Sequence, residues 1–163
     1  MISISQKDSA LSSVCMEGKA SSPELVVIAL PNHVTLQKLI LEKGVIICWK
    51  GQVPTIQKIE GNLVCIVSQD SEESCAATLK DYDIPVISCG MSQKATLTFS
   101  SRNEEQCMVS LQRNIQRLDG GITEAMEFAI PTGGQDDYTT LAICALALLL
   151  EKKDMVSSEN YQG

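Results

Sequence analysis

The stretch Gly133–Leu150 reads GGQDDYTTLAICALALLL, and its reading decides the fold. A glycine pair leads into a short acidic turn, and that turn starts a helix. The carboxylates of Asp136 and Asp137 sit where unpaired first-turn amides and the positive end of the helix dipole favour an acceptor. From Leu141 onward the run is apolar on nearly every face until Glu151-Lys152-Lys153. A helix that is apolar all round belongs inside a layered domain, not on its surface. The expectation is a closing helix over about 136–152, buried against a sheet.

Upstream, the chain first alternates strand and helix. Glu24 to Leu30 contains LVVIAL, a continuous apolar run of the kind that suits a strand covered on both faces. Val34 to Lys43 carries Leu36, Leu39 and Ile40 at helical spacing, with Gly44 as a C-terminal cap. Val45 to Trp49 is a second apolar strand, which gives a strand–helix–strand unit with an expected right-handed crossover. Pro54 to Ile59 suggests a short helix, and LVCIV at Leu63 to Val67 a third strand. Ser71 to Tyr82 fits a helix with Ser71 as N-cap, Glu72 and Glu73 in the first turn, and Ala76, Ala77 and Leu79 facing inward. Pro85 opens the next strand, VISCG.

After Gly90 the pattern changes. Ala95 to Ser100, Gln106 to Gln112 and Ala125 to Ile130 alternate with period two, with a turn signal at Asp119-Gly120-Gly121. No helical pattern separates these three segments, so they read as an antiparallel meander. The fold class is therefore α/β: a single three-layer domain over residues 24–152. Its mixed sheet has a parallel part from 24 to 90 and an antiparallel extension from 95 to 130. Residues 1–23 read as a flexible leader and 153–163 as a flexible tail.

Composition narrows the function classes. At 163 residues and 44% hydrophobic content the chain suits one domain with a real core, and at 4% aromatic that core must be aliphatic. A net charge of −7 argues against a nucleic-acid partner, which needs a basic face. The run Leu141 to Leu150 falls short of the roughly 20 apolar residues that cross a bilayer, so no membrane partner is expected. The seven cysteines are odd in number and form no CxxC pair. Cys48, Cys65, Cys89 and Cys144 lie in apolar runs, where buried thiols behave as small hydrophobes. A zinc site needs clustered ligands, and His33 is the single histidine. Reduced thiols without a signal peptide point to a cytoplasmic protein.

The order of strand–helix units, antiparallel strands and a glycine-led apolar helix resembles the second half of the central domain of Mur ligases. These enzymes join an amino acid to a carboxylate through an acyl phosphate made from ATP, and folylpolyglutamate synthetase is a cousin. The family motif runs Gly, any residue, His-Asn, any residue, Tyr-Asn, then Ala-Leu-Ala-Ala before a helix. Gly133, Tyr138, Leu141, Ala142 and Ala145 fall in register with it; Gln135-Asp136 replaces His-Asn, and Thr139 replaces the second Asn. IPVISCG, Ile84 to Gly90, resembles the family strand that ends in Tyr-Gly or Phe-Gly, with Cys89 in place of the aromatic. Val45 to Gly51 resembles the strand that carries Asn and an Asp-Asp pair, but has Cys48, Lys50 and Gly51. Asn32-His33 stands where the family has an Asp-His element. The resemblance covers roughly residues 24 to 150.

The departures bear on chemistry. No GxxxxGK[ST] occurs, so no loop cradles a phosphate with its lysine and magnesium-binding hydroxyl. The resemblance also implies a family segment ahead of residue 24 and an amino-acid-binding C-terminal domain, and the expectation is that this chain is without both. The resemblance thus implies a non-catalytic binding or assembly module, for a nucleotide or a UDP-N-acetylmuramyl peptide. Two alternatives stay open: a subunit of an amide ligase whose P-loop comes from a partner chain, and a structural domain that associates with itself. No cofactor is expected; ATP with magnesium is what the resemblance would supply.

The candidate ligand-binding residues are His33, Lys94, Gly134, Gln135 and Asp136. His33 follows a strand end, a common place for sites in α/β folds; it is a metal ligand or a loop residue without a role. Lys94 closes the loop Cys89-Gly90-Met91-Ser92-Gln93-Lys94, which is an anion-binding turn or a plain connection. Gln135, Asp136 and Asp137 contact a base as the family's His-Asn does, or merely cap the helix. Cys89 as a nucleophile would need a base nearby, and none is visible. Trp49 with Lys50 stacks a base or plugs the sheet edge.

Overall fold

The computed structural model describes residues 35–48 and 55–151. The leader, the tail, the strand at Glu24 to Leu30, Asn32-His33, Trp49 and Lys50 lie outside the described residues. Six strands form the main sheet: β2 (Leu39–Ile47), β4 (Ile59–Ser68), β5 (Val86–Cys89), β6 (Leu97–Arg102), β7 (Gln106–Leu111) and β10 (Met126–Pro131). Their spatial order is β10-β7-β6-β5-β4-β2. Two short strands, β1 (Thr35–Leu36) and β3 (Thr55–Ile56), pair with each other; so do β8 (Ile115–Gln116) and β9 (Ile122–Thr123). The helices are α1 (Glu72–Leu79) and α2 (Asp137–Leu149).

The mixed α/β sheet is as the sequence reads. β2, β4, β5 and β6 run parallel, while β6–β7 and β7–β10 are antiparallel. The change of direction falls one strand later than expected. β5 and β6 meet in parallel register at Cys89↔Leu97, joined by the loop 90–96. There Ser88 and Thr96 stand in for a ladder: the Thr96 amide donates to Ser88 Oγ at 3.1 Å and the Ser88 amide to Thr96 Oγ1 at 3.4 Å. The Asp119-Gly120-Gly121 signal does mark a turn. It closes β8–β9, with Gly120 at φ +92°, a conformation that suits a residue without Cβ, and with the Gly121 amide donating to Asp119 Oδ1.

Two helices expected from spacing are strands. Val34 to Lys43 was the first: within it lie β1 and the start of β2. The helix of the expected strand–helix–strand unit is therefore replaced by strands, and the unit's first strand lies outside the described residues. The second, Pro54 to Ile59, holds β3 and the first residue of β4. The reason is a repeat. Thr35-Leu36-Gln37-Lys38-Leu39 and Thr55-Ile56-Gln57-Lys58-Ile59 stand side by side, with Thr35↔Thr55, Leu36↔Ile56 and Leu39↔Ile59 in parallel register. Each copy has apolar residues at helical spacing, yet each finds its hydrogen-bond partners in the other; the Leu39 amide donates to the Lys58 carbonyl at 2.8 Å. Tertiary pairing has overridden local periodicity. A repeat of about twenty residues in the sequence is the sign that would have indicated it.

The helix near Ser71 also needs correction. Ser71 is not its N-cap but the last, buried residue of a 3₁₀ turn, Gln69–Ser71, that runs into α1. Ala76 and Ala77 are exposed; the inward face is Cys75 and Leu79.

Each helix covers one face of β4. Val64 and Ile66 point to α2, where they join Ile87, Leu97, Val109, Leu111, Leu141, Cys144, Ala145, Leu148 and Leu149 in the large core. Cys65 and Val67 point the other way, to Cys75 and Leu79 of α1 and to Cys48. Leu141, Ala145 and Ala147 are fully buried, so the all-round apolar helix lies inside, as its sequence requires.

Candidate functional site

The carboxyl ends of β2, β4 and β5 and the start of α2 come together on one side of the sheet. Tyr138, in the first turn of α2, makes the junction. Its hydroxyl donates to the Cys48 carbonyl at 2.6 Å, just past β2, and lies 3.3 Å from the Ile66 carbonyl on β4. Burial pushes the phenol above the usual tyrosine range, so it stays a donor.

The sequence candidates separate in this setting. Asp136 caps α2: Oδ1 accepts from the Thr139 amide at 3.0 Å, and Oδ2 from Thr139 Oγ1. Those donations, the hydroxyl's first, hold its carboxyl below the usual range. Asp137 is paired with Arg102 at the end of β6. Gly133, Gly134 and Gln135 are exposed, and a Cβ built on either glycine would meet nothing within 4 Å. Lys94 is exposed; its amide donates to Ser92 Oγ at 3.1 Å and its carbonyl accepts from Arg113. His33 lies outside the described residues.

Gln69 was not anticipated. Its Oε1 accepts from the Ser92 amide at 3.2 Å, which ties the end of β4 to the loop after β5. Gly90 lies flat against it: a Cβ there would meet Gln69 Cβ and Oε1 at 2.6 Å. A glycine directly after a strand hints at such an approach, but nothing in the sequence names the partner.

The thiols show what linear spacing hides. Cys48, Cys65, Cys89 and Cys144 are buried, as the apolar runs imply, and all six described cysteines are free. Cys89 faces the α2 core, where burial pushes it up to about 12 and favours the thiol over the nucleophilic thiolate. Three others converge. Cys65 Sγ lies 3.6 Å from Cys48 Sγ and 3.4 Å from Cys75 Sγ, and all three sulfurs fall within 4.8 Å of one another. Hydrogen bonds to Cys48 and Cys75, with burial, push Cys65 far above the usual thiol range, while donation from Cys48 and Cys65 pulls Cys75 below it. These residues are 17 and 10 positions apart, so no ligand spacing betrays them.

A separate cleft of about 340 Å³ lies beside the end of α2, lined by Arg117, Ile122, Met126, Leu148 and Glu151 among others. Its guanidinium is already engaged by Asp119 and Glu151. None of the sequence candidates among the described residues borders it. Among the described residues no helix is long and apolar enough to cross a membrane.

No family model matches this chain, and no curated protein or solved structure matches it.

Proposed function

We propose that the chain is a non-catalytic binding module of the Mur-ligase central-domain type, with its ligand surface at the carboxyl ends of the parallel strands. The observation that carries this reading is the docking of Tyr138. The tyrosine that falls in register with the family motif fixes the start of α2 over the ends of β2 and β4. The loop ahead of it, Gly133-Gly134-Gln135, is left open to solvent. Ends of parallel strands are where open α/β sheets bind ligands. The acidic pair there is committed to the fold, Asp136 as a cap and Asp137 to Arg102, so neither is offered to magnesium. Phosphoryl transfer needs amides, a cation and a metal converging on the same oxygens. The first two would come from a P-loop, and this sequence has none.

The test is calorimetric titration with ATP and with a UDP-N-acetylmuramyl peptide, alongside ATP hydrolysis in magnesium. Saturable binding of either ligand, weakened in Gln135→Ala, is expected, with no turnover above background. No binding of either would sink the reading. ATP consumption that is lost in Asp136→Ala would make the chain an enzyme with its site at the start of α2.

A further inference from the structure

We propose that Cys48, Cys65 and Cys75 form a three-sulfur site for one cuprous ion. Three elements bring the sulfurs together. Cys48 follows β2, Cys65 sits in the middle of β4 on the face away from α2, and Cys75 lies on the inner face of α1. The contacts of 3.4 and 3.6 Å, with the remaining separation within 4.8 Å, enclose a small triangle. Metal–thiolate bonds of roughly 2.3 Å place three sulfurs about 4 Å apart around an ion in their plane. Entry of an ion therefore asks for sulfur shifts of a few tenths of an ångström to about one.

The donor set selects the ion. Thiolates favour soft metals: copper(I), zinc or iron–sulfur clusters. Zinc in a structural site takes four ligands. Here no fourth histidine, cysteine or carboxylate joins the cluster among the described residues, and all three sulfurs are at 0% exposure, so water does not reach the fourth position from outside. A closed-shell monovalent ion is content with three sulfurs in a plane. The surroundings suit a soft ion too. The neighbours Val67, Leu79, Ile46 and Val86 are apolar and offer no oxygen or nitrogen side-chain donor to compete with the sulfurs. The sulfurs that hold the ion do so as thiolates, so binding releases their protons. The inference does not rest on the binding reading above; neither the strand-end surface nor a nucleotide enters it.

The experiment uses the full chain, reduced and kept free of oxygen, titrated with copper(I) against a diimine chelator. One equivalent should be withdrawn from the chelator, and the copper X-ray absorption spectrum should show three sulfurs and no nitrogen. Because the ligands must give up their protons, the affinity should rise with pH. Cys65→Val and Cys75→Ala should each abolish the site, and Cys107→Ala, on the other face, should keep it. Should the first two variants fail to fold, the wild-type stoichiometry and spectrum decide alone. Failure to compete for copper, a coordination shell containing nitrogen, or loss of the site in Cys107→Ala overturns the proposal. So does a fresh preparation in which two of the three thiols are already joined as a disulfide.

Discussion

The two faces of the central sheet are built on different principles. The face under α2 is mostly aliphatic from β4 to β10: Val64 and Ile66, Ile87, Leu97, Val109, Leu111 and Ile130, with Cys89, Cys107 and Cys144 among them and seven buried residues of one helix closing it. The opposite face changes character across the sheet. It carries thiols and small apolar groups around β2 and β4, then buried hydroxyls: Ser88 on β5, Thr96 beside it, Thr98 on β6 and Ser110 on β7. A pleated strand sends neighbouring residues to opposite sides, so both faces are written into the same sequence. The difference teaches that the α2 face carries most of the apolar core, while the other face brings thiols and hydroxyls into contact with one another. Hydrophobic burial is non-directional and tolerant of sequence; thiol and hydroxyl clusters are neither.

The hardest blow to that division is a charge under α2. Ala145 is fully buried against the sheet. Ala145→Glu places a carboxylate there without a partner, at a cost of several kcal/mol, on the order of the whole stability of a domain. The variant should be insoluble or lack a cooperative melt. A soluble variant that melts cooperatively would put the helix on the surface and dissolve the contrast.

A finer comparison takes neighbours on one strand. Ile66 and Val67 are both fully buried on β4 and face opposite ways. Ile66→Ala should cost about 3–4 kcal/mol, because it opens a hole in the large core. Val67→Ala removes fewer carbons from the smaller cluster and should cost about 2 kcal/mol. Urea unfolding of the two variants measures both. Equal losses would mean that the faces contribute alike.

Much of this division was legible in the sequence. Leu141 to Leu150 announced the buried helix, and Asp136 announced its start. The period-two runs at Ala95 to Ser100, Gln106 to Gln112 and Ala125 to Ile130 gave the antiparallel strands. What stayed hidden depended on partners. Leu36, Leu39 and Ile40 fit a helix by spacing alone, and only the pairing of two Thr-x-Gln-Lys copies makes them strands. The candidate site was less legible still. Asp136 and Asp137 were visible as acids, but their commitment to Thr139 and Arg102 was not. The cysteine trio requires a parallel pair and a helix to assemble, and no local pattern encodes that.

The hydroxyl face offers a smaller test. Thr98 is buried, and its Oγ1 has no hydrogen-bond partner among the described residues. Valine has the same shape without the polar atom. Thr98→Val should therefore raise stability by about 1 kcal/mol, read as a higher melting temperature. A fall of similar size would reveal that the hydroxyl is bonded after all and that this part of the face is a satisfied polar network.

The smallest expected effect concerns the start of α2 and is read only in acid. The donations of Thr139 hold the Asp136 carboxyl below its usual range in the folded chain. A carboxyl depressed by folding adds stability above its unfolded pKa, and that stability is lost as pH falls through the lower folded value. Asp136→Asn keeps a side-chain oxygen for capping and removes the titration. Melting temperatures of the two proteins, followed downward from neutral pH, should draw together through the acid range, because only the wild type gives up this contribution. Glu60 and Asp119 are depressed as well, by Lys58 and by Arg117 first, so both proteins share the rest of the acid limb and it cancels in the comparison. Parallel curves would show that the cap is indifferent to its charge. The start of α2 would then be held by Tyr138 and the buried apolar face, with Asp136 free to have been retained for a ligand at the strand ends.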